Sequence, residues 1–265
     1  MKSGAKENWD ELSEATEDAI DEFAESIERI TIYDNLSRHN FNLFIGLKKL
    51  DDRFEFVEGD ILDSRKLRRA VNNADVVYHL AAKVTTPFAD QDAHLFEQVD
   101  HWGTAEVCYA FEESNVSKLV YLSSVSVYGS GDSERTLDSE LNPRTFYGIS
   151  KMRGEEHVRR LSDQVETHII RCGNVYGYNR SMRTDAVINK FLFEANFHRK
   201  INVHGSGAQH RPFVFIDTVT EALCDILEDK AAAGTRNLVE HNFEVNQIVE
   251  VLQELYPDLE MIFIN

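Results

Sequence analysis

The sequence predicts an α/β fold, in which a doubly wound parallel sheet is followed by a small C-terminal lobe. Short apolar runs typical of buried strands alternate with longer amphipathic segments typical of helices, as a parallel sheet with helical crossovers requires. The clearest part of this alternation is a helix over 104–115, a strand over 118–123 and a helix over 147–162. A chain of 265 residues is long enough to bury such a core, as one large domain or as one domain with a lobe.

Charge and cysteine content argue against several classes of protein. The chain has 46 acidic and 28 basic residues and a formal net charge of −18, which disfavours binding to nucleic acid or to an anionic membrane. Its three cysteines, Cys108, Cys172 and Cys224, follow no metal-binding spacing, so we expect reduced thiols and no metal site. No apolar run is long enough to span a membrane, and the N-terminus is too acidic for a signal peptide. We therefore expect a cytoplasmic protein.

The chain opens with an acidic segment. Apolar side chains in residues 5–28 recur mostly at steps of three and four, which predicts one long amphipathic helix. The first 28 residues contain ten Asp or Glu and two Lys, so they carry −8 of the total charge. A solvated acidic face above a stripe that faces the core explains this segment without any function.

Tyr147 and Lys151 are the first candidates for chemistry. Four residues apart on a helix, they share one face. A free phenol has a pKa near ~10 and is a poor base at neutral pH, whereas a neighbouring ammonium group favours the phenolate and makes it a usable proton acceptor and donor. A lone match to this spacing is more often a core tyrosine beside a solvated lysine, so the pair needs support from the surrounding sequence.

That support comes from the segment 118–129, which reads KLVYLSSVSVYG. An apolar strand here breaks into a polar loop at its carboxyl end, where the ligand sites of open α/β sheets lie. A hydroxyl on Ser124 could hydrogen-bond a substrate hydroxyl or carbonyl while Tyr147 moves a proton. The strand, the serine-rich loop and the Tyr-x-x-x-Lys helix together resemble the extended short-chain dehydrogenase/reductase family, in particular its NAD-dependent sugar-nucleotide epimerases and dehydratases, which include UDP-glucose 4-epimerase.

The resemblance implies a Rossmann-type sheet, NAD as the cofactor and a nucleoside-diphosphate sugar as the substrate. It implies an NAD-binding domain over 1–177 and a substrate-binding lobe over 178–265. The catalytic residues that it implies are Ser124, Tyr147 and Lys151. The residues implied to bind the cofactor are Asp34, Asn35, Asp60, Ile61, Leu80, Ala81, Ala82, Lys83, Tyr147 and Lys151. The residues implied to bind the substrate are Thr85, Ser124, Ser126, Asn174, Asn189 and Arg211.

Two of these assignments have a chemical reason and a simpler alternative. Asp34 ends a predicted strand, where an acid would hydrogen-bond ribose hydroxyls and disfavour a 2′-phosphate, so that NAD is preferred to NADP. An ordinary Asp-Asn turn explains Asp34 and Asn35 about as well. Arg211 ends a Gly-x-Gln-x-Arg run, and a guanidinium can bind a diphosphate through paired hydrogen bonds. The alternative is a glycine turn followed by a surface arginine.

The chain departs from the family pattern at three places. The family opens with a strand and a Gly-x-x-Gly-x-x-Gly turn that holds the NAD pyrophosphate, but this chain has only Gly4 before Gly46, so we expect acidic helix in their place and two sheet neighbours without a partner. Asp100 stands where an asparagine is usual, and an ionised carboxylate cannot donate a hydrogen bond. Family members usually run further than Asn265, so a second diphosphate arginine has no candidate here.

The resemblance predicts oxidation of a sugar hydroxyl to a 4-keto intermediate, with hydride passing to NAD and the proton to Tyr147. Family dehydratases usually have Asp-Glu directly after the hydroxyl residue, whereas this chain has Val125 and Ser126. The sequence therefore favours a 4-epimerase or 4-keto reductase over a 4,6-dehydratase. The alternative is a non-catalytic or partial family member, such as a binding protein or a truncated gene product. A homodimer through helices 104–115 and 147–162 is also expected.

Overall fold

The structure, a computed structural model, describes residues 27–39, 41, 52–84, 92–131, 133–179 and 183–264. Nearly all of the acidic helix predicted over 5–28 lies outside these residues, as does the predicted substrate contact Thr85. The chain divides into two compact units, Met1–Gly59 and Asp60–Asn265, and each is described here by itself.

Strands and helices alternate through most of the described chain. The strands are β1 (Ile30–Asp34), β2 (Phe54–Glu58), β3 (Val76–His79), β4 (Lys118–Ser124), β5 (Glu166–Cys172), β6 (Asn174–Tyr176), β7 (Lys200–His204), β8 (His210–Phe215), β9 (Gly234–Leu238), β10 (His241–Glu244) and β11 (Glu260–Ile264). The α-helices are α1 (Ser64–Val71), α2 (Ala93–Phe96), α3 (Gly103–Glu112), α4 (Phe146–Arg160), α5 (Val187–His198), α6 (Ile216–Leu227) and α7 (Val245–Leu255). A π-helix (Glu97–Trp102) joins α2 to α3, and a 3₁₀ helix (Val125–Tyr128) follows β4.

The described part of the first unit is a parallel pair of strands. β1 pairs with β2 in a register that runs from Ile30 opposite Phe54 to Asp34 opposite Glu58. The backbone N–H of Gly59 donates to the carbonyl of Asp34 at 3.0 Å, which extends the pairing just beyond the strand ends. The predicted ribose-binding acid, Asp34, therefore lies at the carboxyl end of β1, as expected.

The second unit is built on a four-stranded sheet in the order β3-β4-β5-β9, with every pair parallel. The central strands β4 and β5 are buried along almost their whole length, which is typical of strands with both faces covered. Helix α6 packs Ile226 against Val120 of β4 and Ile170 of β5. The predicted parallel α/β architecture is confirmed, and β9, from the predicted lobe, forms an edge of this sheet.

Helix α4 lies close to the end of β4 because two of its residues are glycines. The hydroxyl of Thr145 caps the helix by accepting from the Gly148 N–H at 3.0 Å. A Cβ on Gly148 would lie 2.6 Å from the carbonyl oxygen of Ser126. One on Gly154 would lie 2.5 Å from the Tyr121 hydroxyl and 3.0 Å from the Asp100 carbonyl oxygen. Any larger residue at these positions would push α4 away from the strand end and from the π-helix.

A second apolar core lies in the C-terminal part of the chain. Its buried residues come from α5, β7, α7 and the approach to β11, and they are Phe191, Ala195, Ile201, Val203, Val245, Val249, Leu252 and Leu259. Strands β7 and β11 pair in parallel beside it, and β6, β8 and β10 form a separate three-stranded sheet. A small lobe needs an apolar core of this kind. The domain boundary between residues 177 and 178 stays a prediction.

No helix in the described ranges is both long and apolar enough to cross a membrane. Among the same residues, no group of three or more His, Cys, Asp or Glu side chains could hold a metal ion. All three cysteines have free thiols.

Candidate active site

Ser124 lies at the carboxyl end of β4, where the chain turns into the short 3₁₀ helix. Its hydroxyl caps this helix, accepting from the Ser126 N–H at 3.2 Å and donating to the Ser126 hydroxyl at 3.1 Å. Ser124 is buried, with 7% of its surface exposed. The two predicted serines therefore form one hydroxyl pair beside the N-terminal turn of α4.

Tyr147 lies in that first turn of α4, with its phenol close to the side chain of Ser124. Burial raises the pKa of Tyr147 well above its usual value, and the negative charge of Asp100 raises it further. The Ser124 side chain and the positive charge of Arg183 lower it, without reversing the shift. The edge of the Phe96 ring packs against Tyr147, with ring centroids 6.3 Å apart.

Lys151 follows one turn later on α4 and is almost completely buried, with 2% of its surface exposed. Its Nζ donates to the carbonyl oxygen of Leu122 in β4 at 2.9 Å and lies 4.8 Å from the centroid of the Tyr121 ring. Burial lowers the pKa of Lys151, while the negative charges of Asp100 and Glu155 oppose that shift.

The electrostatic effect of Lys151 on Tyr147 differs from the one that the sequence predicted. We predicted that the Lys151 ammonium would favour the Tyr147 phenolate, but the cation that lowers the pKa of Tyr147 is Arg183. The physical reason is that Lys151 is directed to the main chain of β4 by its bond to Leu122. Without a ligand, burial dominates and the phenol keeps its proton.

Arg183 is a site residue that the sequence did not indicate. Its guanidinium forms a two-point ion pair with Asp185, with contacts of 3.1 and 2.7 Å, and donates to the carbonyl oxygen of Val84 at 3.3 Å. It belongs to no motif, and its proximity to Tyr147 results from a contact between residues far apart in the chain. Only the fold could have revealed it.

Asp100 lies in the middle of the π-helix and has no exposed surface. One carboxylate oxygen accepts from the backbone N–H of Lys83 at 2.6 Å, and the other accepts from the Ser150 hydroxyl at 3.3 Å. Burial raises the pKa of Asp100 to about 6, against the opposing charges of Lys151 and Lys83 and both hydrogen bonds. π-Helical turns of this kind frequently lie at functional sites.

A buried ion pair supports the strand end and α4 beneath these residues. Glu155 and Arg171 form two parallel hydrogen bonds, Nε to Oε1 at 3.0 Å and Nη2 to Oε2 at 2.8 Å. Ser123 donates to Glu155 Oε1 at 2.6 Å, and Arg171 Nη1 donates to the Tyr128 hydroxyl at 2.7 Å. The pair ties α4 to β4 and β5, next to the residues that carry the predicted chemistry.

The residues predicted to bind the cofactor lie in both units. In the first unit, the Asp34 carboxylate accepts from the Leu36 N–H at 2.6 Å and Asn35 Oδ1 accepts from the Ser37 N–H at 3.0 Å, which is the turn that we weighed as the alternative. In the second unit, Asp60 accepts from the Leu62 N–H at 2.9 Å, and Ile61 is buried against Gly103. The segment 80–83 follows β3. Within this segment, Leu80 is 48% exposed and Ala81 is also exposed.

The residues predicted to bind the substrate are less uniformly placed. Ser126 lies beside Ser124, as described. Asn174 is exposed and donates to the Pro212 carbonyl at 2.9 Å, whereas Asn189 is buried with its amide bonded to the backbone of Arg183 and Gly177 at 3.1 and 3.4 Å. Arg211 is exposed on β8, and no described residue forms an ion pair with it. Asn189 is thus engaged within the protein, and Arg211 is open to a ligand.

The arrangement brings a phenol, a hydroxyl and an ammonium group to the carboxyl end of a parallel sheet, and comparison with known proteins assigns the family. The family model described as "NAD dependent epimerase/dehydratase family" matches residues 20–240. The chain belongs to this family.

Individual relatives support the same assignment. The chain is 32% identical over 219 residues to dTDP-D-glucose 4,6-dehydratase of Homo sapiens, a match that covers 78% of this chain and 62% of the relative. It is 28% identical over 210 residues to a putative UDP-glucose 4-epimerase of Methanocaldococcus jannaschii, which covers 77% of this chain and 67% of the relative. The chain thus spans about three fifths of the length of the dehydratases that it matches.

Solved structures show the same fold. A dTDP-glucose 4,6-dehydratase from Streptomyces venezuelae, crystallised with NAD, has a TM-score of 0.79 and 22% identity, and the match covers 90% of this chain and 76% of that one. A UDP-glucuronic acid 4-epimerase from Bacillus cereus, in complex with UDP-glucuronic acid and NAD, has a TM-score of 0.79 and 23% identity, with 89% and 78% covered. The resemblance noted from the sequence is therefore confirmed at the level of family and fold.

Proposed function

We propose that this chain is an NAD-dependent enzyme that oxidises and reduces a secondary hydroxyl of a nucleoside-diphosphate sugar, as a 4-epimerase or a 4-keto reductase. The observation that carries this proposal is that Ser124, Tyr147 and Lys151 meet where β4 ends and α4 begins. Tyr147 lies close to Ser124, and the bond from Lys151 to the Leu122 carbonyl ties α4 to β4 at this point.

Each of the three side chains has a role that its surroundings allow. In the reducing direction the Tyr147 phenol donates its proton to the carbonyl oxygen, and in the oxidising direction the phenolate that this leaves takes the proton from the sugar hydroxyl. Ser124 donates to the sugar oxygen and aligns it with the phenol. The chemistry that bound NAD would supply is acceptance of the hydride from the same sugar carbon, so that a C–H and an O–H bond would break and a carbonyl would form. Returning the hydride to the opposite face gives the epimer.

The described residues fit the nicotinamide end of NAD. Leu80 and Ala81 are apolar and exposed at the carboxyl end of β3, in a sheet where ligands bind at that edge. Lys151 presents an ammonium group on the same helix face as Tyr147, where it would hold the nicotinamide ribose. The pyrophosphate end has no corresponding glycine-rich turn in this sequence, because Gly4 is the only glycine before Gly46.

The positions after Ser124 favour epimerisation or reduction over dehydration. Elimination of water needs an acid and a base close to the sugar, whereas Val125 and Ser126 carry no carboxyl group. Similarity to the human dTDP-D-glucose 4,6-dehydratase supports the second candidate, a 4,6-dehydratase. The third is a non-catalytic relative that keeps the fold and the site residues but not the activity.

We propose that Asn174 and Arg211, the second of which belongs to the predicted lobe over 178–265, contact the sugar nucleotide. We also propose a homodimer through α3 and α4. Trp102 is 51% exposed and its ring stacks on His101, which stacks in turn on His157 of α4. A second copy of the chain would cover this aromatic row. Light scattering on wild type and on Trp102→Glu tests this, since a dimer is expected for the first and a monomer for the second.

The activity test uses the purified chain with NAD and, separately, UDP-glucose and dTDP-glucose. Chromatography and mass spectrometry distinguish the three candidates, because an epimer has the mass of its substrate, a dehydrated sugar is lighter by one water, and a non-catalytic protein leaves the substrate unchanged. A 4-keto reductase is tested in the opposite direction, with a 4-keto sugar nucleotide and NADH. No turnover of any of these substrates at saturating NAD would contradict the proposal.

A further inference from the structure

We propose that Asp100 is a positioning residue, which holds the segment after β3 against helix α4 and supplies a negative counter-charge to the buried Lys151. This inference rests on the proposed function, because it concerns how the same site is held in place. It goes beyond that function by giving a role to the one buried carboxylate that replaces the expected asparagine.

The geometry places Asp100 between the two parts of the site. One oxygen accepts from the Lys83 N–H at 2.6 Å, and the other lies 3.3 Å from the Ser150 hydroxyl, which shares its single proton with the nearer carbonyl oxygen of Tyr147 at 2.9 Å. Lys83 ends the segment 80–83, of which Leu80 and Ala81 are exposed, and Ser150 directly precedes Lys151 on α4. Loss of the carboxylate would therefore loosen both at once.

The π-helix directs Asp100 inward through two further contacts. The backbone carbonyl of Asp100 accepts from the Thr104 hydroxyl at 2.7 Å, and Thr104 is paired with His79 Nε2 at 2.8 Å. The Asp100 carbonyl also lies where any side chain at Gly154 would collide with it. These contacts fix the backbone from the β3 side and the α4 side, so the carboxylate has little freedom to turn to solvent.

The charges around Asp100 make it the partner of Lys151. The titratable groups that face it are Lys83 from the segment after β3, His79 from β3, Tyr121 from β4, and Tyr147 and Lys151 from α4. His79 is neutral, because burial and the charge of Lys151 lower its pKa to about 3. Glu155, the other carboxylate that acts on Lys151, is already bound by Arg171 through two hydrogen bonds. Within the described ranges no cationic side chain is hydrogen-bonded to Asp100, so its charge acts on Lys151.

An asparagine could make both hydrogen bonds through its amide, but it would carry no charge. The distinction can be measured, because burial raises the pKa of Asp100 to about 6. A raised carboxyl pKa means that the folded protein binds the proton more tightly than the unfolded chain. The carboxylate is therefore neutral at low pH and charged above about pH 6, and its coupling to Lys151 should appear over the same range.

The test is a double-mutant cycle that needs no turnover. Urea unfolding is measured for wild type, Asp100→Asn, Lys151→Met and the double variant, from pH 5.5, just above the isoelectric point of 4.9, to pH 8. We expect the coupling between the two residues to reach about tenfold in the unfolding equilibrium constant at pH 8 and to shrink as the pH falls through about 6. Asp138→Asn, which changes an exposed carboxylate, is the matched control and should show no such dependence.

The outcomes separate this inference from the proposed function. If the free-energy coupling between Asp100 and Lys151 is absent or does not change with pH, Asp100 acts as an uncharged hydrogen-bonding group. That result would overturn the inference even if the enzyme is active. Coupling that grows with pH supports it even if no sugar nucleotide is converted. If Lys151→Met does not fold, the stability difference between wild type and Asp100→Asn replaces the cycle. A difference that is flat from pH 5.5 to 8 would again contradict the inference.

Discussion

The ammonium group of Lys151 donates a hydrogen bond to the backbone carbonyl of Leu122 at 2.9 Å. Leu122 lies two residues before Ser124 in β4, so this bond fixes α4 against the strand that carries the serine hydroxyl. It also explains why the Tyr147 phenol lies close to Ser124 although the two residues belong to different elements. The lysine thus has a structural role in the site in addition to its proposed contact with the cofactor.

The first prediction concerns the ion pair between Glu155 and Arg171. Arg171→Met should destabilise the protein by about 3 kcal/mol, because it removes two charge-assisted hydrogen bonds from the buried Glu155 carboxylate and leaves the partly exposed Arg159 as its cation. Arg160→Met is the matched control, since it breaks the exposed pair with Glu112 and should cost about 0–1 kcal/mol. Urea unfolding at neutral pH measures both. Equal costs for the two variants would show that Glu155 is not held as a buried ion.

The second prediction concerns recognition of the diphosphate. Arg211→Ala should weaken binding of a nucleoside-diphosphate sugar by about tenfold or more and leave the free sugar nearly unaffected, because the lost contact is a charge-assisted bond to phosphate. Calorimetric titration with UDP-glucose and with glucose compares the two. Lys200→Ala, an exposed cation on the neighbouring β7, serves as the control for a general loss of positive charge. If Arg211→Ala weakens both ligands equally, Arg211 has a structural role only.

The third prediction is that the chain of 265 residues binds NAD weakly and is purified without it. Without a glycine-rich turn, the pyrophosphate loses several charge-assisted hydrogen bonds worth about 1.5–3 kcal/mol each, which lowers the affinity by at least a few powers of ten. The net charge of −18 would add repulsion of the diphosphate, which salt should partly screen. The measurements are an assay for released cofactor after denaturation and NAD titrations at low and high salt. Stoichiometric bound cofactor, or tight binding that is independent of salt, would contradict this prediction.

Much of the fold could be predicted because it follows from local patterns. The strand predicted over 118–123 is Lys118–Ser124, and the helix predicted over 147–162 is Phe146–Arg160. In both, a continuous apolar run or a helical spacing of buried residues is present within a dozen or so positions. The proximity of Ser124 and Tyr147 could also be predicted. Ser124 ends a parallel strand, and the helix that follows such a strand begins at the same edge of the sheet, where ligands bind.

Other features could not be predicted because they depend on distant contacts. The π-helix was predicted as neither helix nor turn, and it is held by bonds from Asp100 to Lys83 and Ser150, which are 17 and 50 residues away. The action of Arg183 on Tyr147 likewise depends on how the chain folds back. The predicted direction of the Tyr147 pKa shift was wrong for a related reason. Spacing on a helix places Lys151 nearby, but it does not indicate that Tyr147 is buried or that the Leu122 carbonyl competes for the lysine.

The most direct measurement of the central claim is the rate of sugar-nucleotide conversion by Tyr147→Phe, at saturating NAD and substrate. Because the substitution removes only the proton-transferring hydroxyl, we predict that kcat falls by about 10²–10⁴-fold, while substrate affinity changes little. Tyr256→Phe removes a comparable hydroxyl from the C-terminal core, where it contacts Asn196, and should retain its kcat. A Tyr147→Phe enzyme that works at a near-normal rate would contradict the assignment of Tyr147 as the proton-transferring group.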